Sequence, residues 1–125
     1  MKATLTTPEW NVMTALWRRE PQTLSEVIAS MGDTVEWKYT TYATYLNKLA
    51  EKGYVGFDAR GRDKFYYAAI EQDECLEAES RNLIEKVSEE SAKKLLVSMI
   101  RDINLSKADQ QELKALIDRM SEGDE

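Results

Sequence analysis

The stretch Trp37-Lys38-Tyr39-Thr40-Thr41-Tyr42-Ala43-Thr44-Tyr45-Leu46-Asn47-Lys48-Leu49-Ala50-Glu51-Lys52-Gly53, with the two runs that follow it, decides how this chain folds. Tyr42, Tyr45, Leu46 and Leu49 recur at three- and four-residue spacing, the period of a helix with one buried face. The spacing predicts a helix over residues 39–52 that turns Thr40, Thr41, Ala43, Thr44, Asn47 and Lys48 outward. Gly53 is a natural stop, because glycine enters the left-handed conformation that closes many helices. Residues 54–59 and 64–69 are then rich in aromatic and β-branched side chains. Arg60-Gly61-Arg62-Asp63 between them reads as a four-residue hairpin connection.

Upstream, Thr7-Pro8-Glu9 predicts a helix start, with Thr7 as the cap, Pro8 at the first helical position and an acid at the positive end. Trp10, Met13, Leu16 and Trp17 make its apolar face, and Pro21 disfavours helix in the residue before it. Trp10 and Trp17 are therefore expected in the core, while the role of Trp37 stays open. Thr23-Leu24-Ser25-Glu26 has the form of a capping box. It opens a short helix with Leu24, Val27, Ile28 and Met31 inside and Gly32 at its end, and residues 33–38 connect to the Thr-rich helix. Three helices and a hairpin in this order make a winged helix-turn-helix.

Beyond Ile70 there is no proline and a single glycine, Gly123, and apolar residues keep a helical period. Leu76, Leu83, Ile84 and Val87 form one stripe; Leu95, Leu96, Met99, Ile100 and Ile103 form a second. Ser106-Lys107-Ala108-Asp109 caps a last helix carrying Leu113, Leu116, Ile117 and Met120. Three short amphipathic helices have too little of their own to bury against, so a second copy of the chain is the expected cover. Folding back onto the same chain is the alternative. The expected fold class is mainly α with a small β-hairpin. Residues 1–70 are expected to form the winged domain and residues 71–125 a helical dimerisation region, with residues 121–125 as a short disordered acidic tail.

The bulk numbers agree with a folded domain. The 125 residues are 42% hydrophobic and 32% charged, unlike a disordered chain. No apolar run approaches the roughly 20 residues that span a bilayer. Met1-Lys2-Ala3-Thr4-Leu5 lacks the apolar core of a signal peptide, so a cytoplasmic location is expected. The single cysteine, Cys75, cannot form an internal disulfide. The net charge of −6 at first opposes binding to a polyanion. However, residues 1–70 carry 9 Lys/Arg against 8 Asp/Glu, whereas residues 71–125 carry 8 against 15. The acid is thus concentrated away from the Thr-rich helix and the hairpin.

Catalytic chemistry is hard to assemble from this composition. There is no histidine, the commonest general base and metal ligand. One cysteine cannot build a structural zinc site, and no phosphate-cradling Gly-rich loop is present. No enzymatic activity, cofactor or metal is expected.

The Thr-rich helix suits another task. Recognition helices read base edges in the major groove with short polar side chains and position themselves through phosphates. Thr41 and Thr44 share a face, and their methyls and hydroxyls can meet thymine methyls, base edges or phosphates. Asn47 lies three residues further on and can pair with adenine, while Lys38 and Lys48 can hold phosphates. Three threonines at the start of one helix also lower its intrinsic stability, which points to selection for something other than helix formation. Tyr39, Thr40 and Ala43 complete the candidate face, although an ordinary solvent face is the plainer reading. At the hairpin, Arg60, Arg62 and Lys64 can lie against phosphates or in the minor groove; a solubilising turn is the alternative. A winged module that binds another protein and no DNA is the competing function.

The opening Glu9-Trp10-Asn11-Val12-Met13 with Leu16-Trp17 resembles the "E-W-x-V-M-x-x-x-W" opening of the penicillinase-repressor family, the regulators of β-lactamase and methicillin-resistance genes and their copper-responsive relatives. Residues 41–49 with Glu51-Lys52-Gly53-Tyr54-Val55 resemble that family's recognition segment, and a weaker likeness runs through the helical tail. The resemblance implies a homodimeric transcriptional repressor that binds a palindromic operator. Thr41, Thr44 and Asn47 would face the groove, and the C-terminal helices would dimerise. Ala43 stands where the family often has Arg or Lys. The resemblance also implies relief of repression by cleavage of an Asn-Phe bond, with a membrane sensor protease as partner. The corresponding position here is Ser98-Met99. The cysteine-rich C-terminal motif of the copper-responsive branch has no counterpart.

Overall fold

The computed structural model describes residues 5–123. Along these residues the chain forms α1 (Thr7–Arg18), α2 (Leu24–Met31), a 3-10 turn (Gly32–Thr34), α3 (Tyr39–Glu51), β1 (Val55–Arg60), β2 (Asp63–Ala68), α4 (Gln72–Lys86), α5 (Glu89–Asp102) and α6 (Lys107–Glu122). This is the mainly helical winged fold with one antiparallel hairpin that the residue pattern predicts. The chain divides into two compact units, Met1–Asn82 and Leu83–Glu125. The division falls within α4 and not at residues 70/71, because the first turns of α4 carry Cys75 into the core of the first unit.

In the first unit, α1 buries Val12, Met13, Ala15 and Leu16; α2 buries Val27 and Met31; α3 buries Tyr42, Leu46 and Leu49. Tyr54, Val55 and Tyr66 of the hairpin region close the same cluster. Trp10 and Trp17 pack at its edge, edge to face at 5.7 Å. The Trp17 indole donates to the Ile70 carbonyl at 3.0 Å, tying α1 to the segment that leads into α4.

The helix ends explain the boundaries. The cap of α1 is Thr6 and not Thr7: the Thr6 hydroxyl accepts from the Glu9 amide, and the Glu9 carboxylate accepts from the Thr6 amide. Thr7 is already helical, and the reciprocal box is closed only from one residue earlier. Thr23 and Glu26 form the predicted box at α2, and Gly32 at its end has a φ of 53°. α3 closes with a Schellman motif: Gly53, at φ 85°, donates to Ala50, and Tyr54 donates to Leu49 at 3.0 Å. That bond uses the Tyr54 amide, so β1 begins at Val55.

The hairpin loop is shorter than the sequence implies. Arg60 pairs with Asp63 in the ladder, leaving only Gly61-Arg62 as the connection. Gly61 has a φ of 64°, and no residue other than glycine has positive φ among the described residues. Glycine at the first central position is what a type II′ turn requires, and its twist matches the flanking strands. The extra pair also satisfies backbone groups that a four-residue loop would leave to water.

The second unit is built differently. α5 and α6 are capped by Ser88 and Ser106, the latter in a full box with Asp109, yet neither helix has a buried residue. α6 continues through Glu122 to a cap at Gly123. Ser121 and Glu122, expected in a disordered tail, are therefore helical; Asp124 and Glu125 lie outside the described residues. So do residues 1–4 of the signal-peptide reading. No helix among the described residues is long and apolar enough to cross a membrane.

Candidate nucleic-acid interface

α3 presents a two-sided surface. Tyr42, Leu46 and Leu49 are buried, and Tyr45 is half-buried beneath Trp37, whose ring stacks on it at 4.9 Å and meets Tyr42 at 5.1 Å. Trp37 thus belongs to the packing that holds the start of α3. On the opposite side Thr40, Thr44, Asn47 and Lys48 are exposed. These positions are three, four and seven residues apart or adjacent, so they form one ridge. Thr41 and Ala43 flank it and are half-covered. Lys38 and Tyr39 are exposed where the helix begins.

The hydroxyl of Thr44 donates to the Thr40 carbonyl at 2.9 Å. Its donor is thereby occupied within the helix, and what it offers outward is a methyl and two acceptor lone pairs. Asn47, with both a donor and an acceptor, is the ridge residue that can make a two-point contact with adenine. The Lys48 ammonium sits 5.6 Å from the Tyr45 ring centroid. α1, α2, α5 and α6 each have a side-chain N-cap, whereas Lys38 supplies none to α3.

The three wing cations do not form one patch. The ladder register places Ala59 opposite Lys64 on one face and Asp58 opposite Phe65 on the other. Lys64 lies over the Phe57 ring at 4.6 Å on the first face, and Arg60 lies over the Phe65 ring at 4.7 Å on the second. Arg62 occupies the loop between them. The wing therefore carries charge on both faces and at its tip.

Two features that fix this surface escape a reading of the sequence. Gln22 is fully buried and joins the wing to the helices. Its amide donates to the Tyr66 carbonyl at 2.9 Å and its carbonyl accepts from the Tyr66 amide at 2.7 Å, adding a one-residue third strand beside β2. Its side-chain amide donates to Ala15 and Arg19 carbonyls at 2.8 and 2.6 Å, and its side-chain oxygen accepts from Ser30 at 2.7 Å. A polar residue between a proline and a capping box reads as loop, and no periodicity marks it. The second feature is the ion pair between buried Glu9 and Lys52, which ties the end of α3 to the start of α1. Burial opposes ionisation of Glu9, but the hydrogen bonds from Lys52 and Thr6 and the Lys52 charge outweigh it and hold the carboxyl below its ordinary range. Lys52 is thereby engaged within the protein. Burial raises the Cys75 thiol, and the charge of Glu74 adds to the effect. Among the described residues no group of three or more His, Cys, Asp or Glu comes together to hold a metal.

The family description "penicillinase repressor" matches residues 5–119. The methicillin resistance regulatory protein MecI of Staphylococcus aureus is 22% identical over 115 residues, which cover 92% of this chain and 94% of that protein. The penicillinase repressor of Bacillus licheniformis is 23% identical over 110 residues, covering 88% and 86%. Among solved structures, Staphylococcus aureus MarR in complex with salicylate and kanamycin superposes with a TM-score of 0.52 at 19% identity, over 94% of this chain and 72% of that one; this likeness concerns the fold alone. With a family match along residues 5–119 of a winged fold, the chain belongs to the penicillinase repressor family and is a DNA-binding transcriptional repressor, not an enzyme.

Proposed function

We propose that the chain works as a homodimer on a palindromic operator, with the Thr40–Thr44–Asn47–Lys48 ridge in the major groove and the wing against the backbone. The observation that carries this reading is the ridge itself: a polar, exposed face on a helix whose other side packs Tyr42, Leu46 and Leu49 into the core. Thr41, Ala43, Lys38 and Tyr39 border the ridge and complete the proposed contact surface, with Arg60, Arg62 and Lys64 from the wing. Thr44 would meet thymine methyls and Asn47 an adenine, while the lysines and arginines would contact phosphates.

The dimer is supported by the second unit. Leu95, Leu96, Met99, Ile100, Ile103, Leu116, Ile117 and Met120 are 39% to 63% exposed in the single chain, and Leu113 is half-covered. Covering what remains exposed of each such side chain yields roughly half of the ~1.5–3 kcal/mol of full burial, so faces of this size favour a second copy. Leu76 is exposed and Leu83 half-covered on α4, and both are assigned to the same contact. A two-fold dimer presents two equal recognition helices, which is why the operator should be palindromic. Operator binding would place the protein's work in the cytoplasm.

For induction, the family's route would be cleavage by a membrane sensor protease at Ser98-Met99, where the Asn-Phe bond is not preserved. Both residues lie inside α5, where helical backbone must open before a protease can seat it. Mass spectrometry of the chain after exposure to such a protease tests this; an uncut α5 would remove the route.

The reading as a whole is tested by selecting the purified protein against a random duplex library at about physiological salt, where specific sites stand out. Recovery of a palindrome with half-sites on one face of the duplex is the expected result. Recovery of no sequence would turn the same face over to a protein partner.

A further inference from the structure

Gln22 uses every polar atom it has, and the partners lie on three different elements. Its backbone exchanges two hydrogen bonds with Tyr66 of β2. Its side-chain amide donates to the Ala15 and Arg19 carbonyls at the end of α1, and its side-chain oxygen accepts from the Ser30 hydroxyl of α2. Ala15 lies in the last turn of α1, where carbonyls have no partner within the helix. Two carbonyls on one side and a hydroxyl donor on the other call for both the NH2 and the oxygen of a primary amide. Glutamate there would set oxygen against the two carbonyls, and an apolar side chain would leave all three partners unmet. Each of these bonds replaces one made with water, so its net stabilisation is modest. What the set adds is direction: it holds β2 at a defined place against α1 and α2.

The wing depends on that direction. Phe57 to Arg60 are all exposed on β1, and Asp63 and Lys64 are exposed on β2. Val55 and Tyr66, at the base of the hairpin, are buried. The wing is therefore a lever aimed from its base, and Gln22 holds that base through the Tyr66 backbone. Glu20 fastens the same strand two residues on, accepting from the Ala68 amide at 3.1 Å. Arg62, in the loop at the tip, stands four residues beyond Tyr66, which is roughly 13 Å at about 3.3 Å per residue. A tilt of about 10° at the base moves the tip by roughly 2 Å, enough to break a hydrogen bond to a phosphate.

We propose that Gln22 is a positioning residue for operator binding: by clamping β2 to α1 and α2 it fixes where the wing cations meet the phosphate backbone relative to the α3 ridge. Gln22 is fully buried and touches no DNA itself. The proposal rests on the DNA-binding reading above and adds a residue outside both contact elements. Ser30 is the α2 side of the same clamp. Since α2 packs against both α3 and β2, the clamp joins the wing to the body that carries the ridge.

The test is a double-mutant cycle between Gln22→Met and Arg62→Ala, read as operator affinity. Methionine keeps the length of the side chain and removes the amide, and circular dichroism checks that the variant is folded under the assay conditions. Gln22→Met should weaken operator binding about tenfold, the worth of one charge-assisted contact. In that background Arg62→Ala should cost much less than in the wild-type protein, because the wing is already misplaced. A residue that only stabilises the fold would leave the cost of Arg62→Ala the same in both backgrounds, and that result overturns the proposal. In the free protein, amide hydrogen exchange should quicken at Tyr66, which donates to the Gln22 carbonyl, more than at Leu46 in the core. An equal change at the two amides would overturn it as well. If Gln22→Met does not fold, Ser30→Ala takes its place in the cycle. It removes one bond of the clamp and leaves those to α1 and β2, so the same pattern is expected with smaller changes, and strict additivity with Arg62→Ala overturns the proposal. Wild-type binding by both Thr44→Glu and Arg62→Ala, with Gln22 in place, would bring down the DNA-binding reading itself and the proposal with it.

Discussion

The two units of this chain use the same kinds of apolar residue to opposite ends. In the first, leucines, valines and methionines from three helices and a hairpin meet one another, and Val12, Met13, Leu16, Leu46 and Leu49 have no solvent contact. In the second, Leu96, Ile103, Ile117 and Met120 are each more than half exposed on well-capped helices. The difference teaches that capping and periodicity are enough to make a helix but not to complete a fold. The first unit gathers most of its apolar side chains inside and leaves the polar face of α3 outside. The second leaves its apolar faces exposed in the single chain, where the proposed dimer would cover them.

The sharpest way to break this comparison is to charge the outer face of the first unit. Thr44→Glu should remove specific operator binding, which typically exceeds non-specific binding by ~4–10 kcal/mol, while leaving the oligomer unchanged; operator titration with sedimentation reads both. Unaltered operator affinity would sink the assignment of α3. Next in size is the apolar face of the second unit. Leu116→Ala should weaken the dimer by about 2–5 kcal/mol if a second copy covers that side chain. Its 45% exposure in the single chain predicts almost no effect if nothing covers it, so a dimer that persists at submicromolar concentration would count against the assignment.

A smaller effect is expected at Gln22. Gln22→Leu leaves the Ala15 and Arg19 carbonyls and the Ser30 hydroxyl without their partner, a loss of about 1–3 kcal/mol in denaturant unfolding of the first unit, with the oligomer unaffected. Smallest is the contribution of Glu9. Its carboxyl is held below the ordinary value of 4.5 by Lys52 and Thr6 against the opposing effect of burial. A depressed folded pKa stabilises the fold above the unfolded value, and that stabilisation is lost as pH falls through the folded one. Glu9→Gln should therefore flatten the acid limb of the stability profile below about pH 4.5; an unchanged limb would show that other carboxylates govern acid unfolding.

Much of the fold was legible because it rests on local rules. The box at Thr23 and Glu26, the stop at Gly53 and the inward set Tyr42, Leu46 and Leu49 each follow from a few adjacent residues. The errors arose where neighbouring solutions compete: Thr6 and Thr7 can both cap α1, and only the reach of Glu9 selects Thr6. The loop length was likewise hidden, since Arg60 and Asp63 can end a turn or extend a ladder. α4 offered Leu76, Leu83 and Ile84 in its apolar stripe, yet the residue it buries is Cys75, which joins the core cluster that Ile70 and Ala78 pack against.

The sequence by itself determined the order of elements, the polar face of α3, the absence of histidine chemistry and the concentration of acid after residue 70, since these depend on residue identity and short spacings. Only the tertiary structure decided that Gln22 joins the wing to α1 and α2, that Lys52 is engaged by Glu9, and that Arg60 and Lys64 lie on opposite wing faces. The first two relations join separate elements that only packing brings within hydrogen-bonding distance, and the third depends on the strand register, which the local sequence left open between two loop lengths.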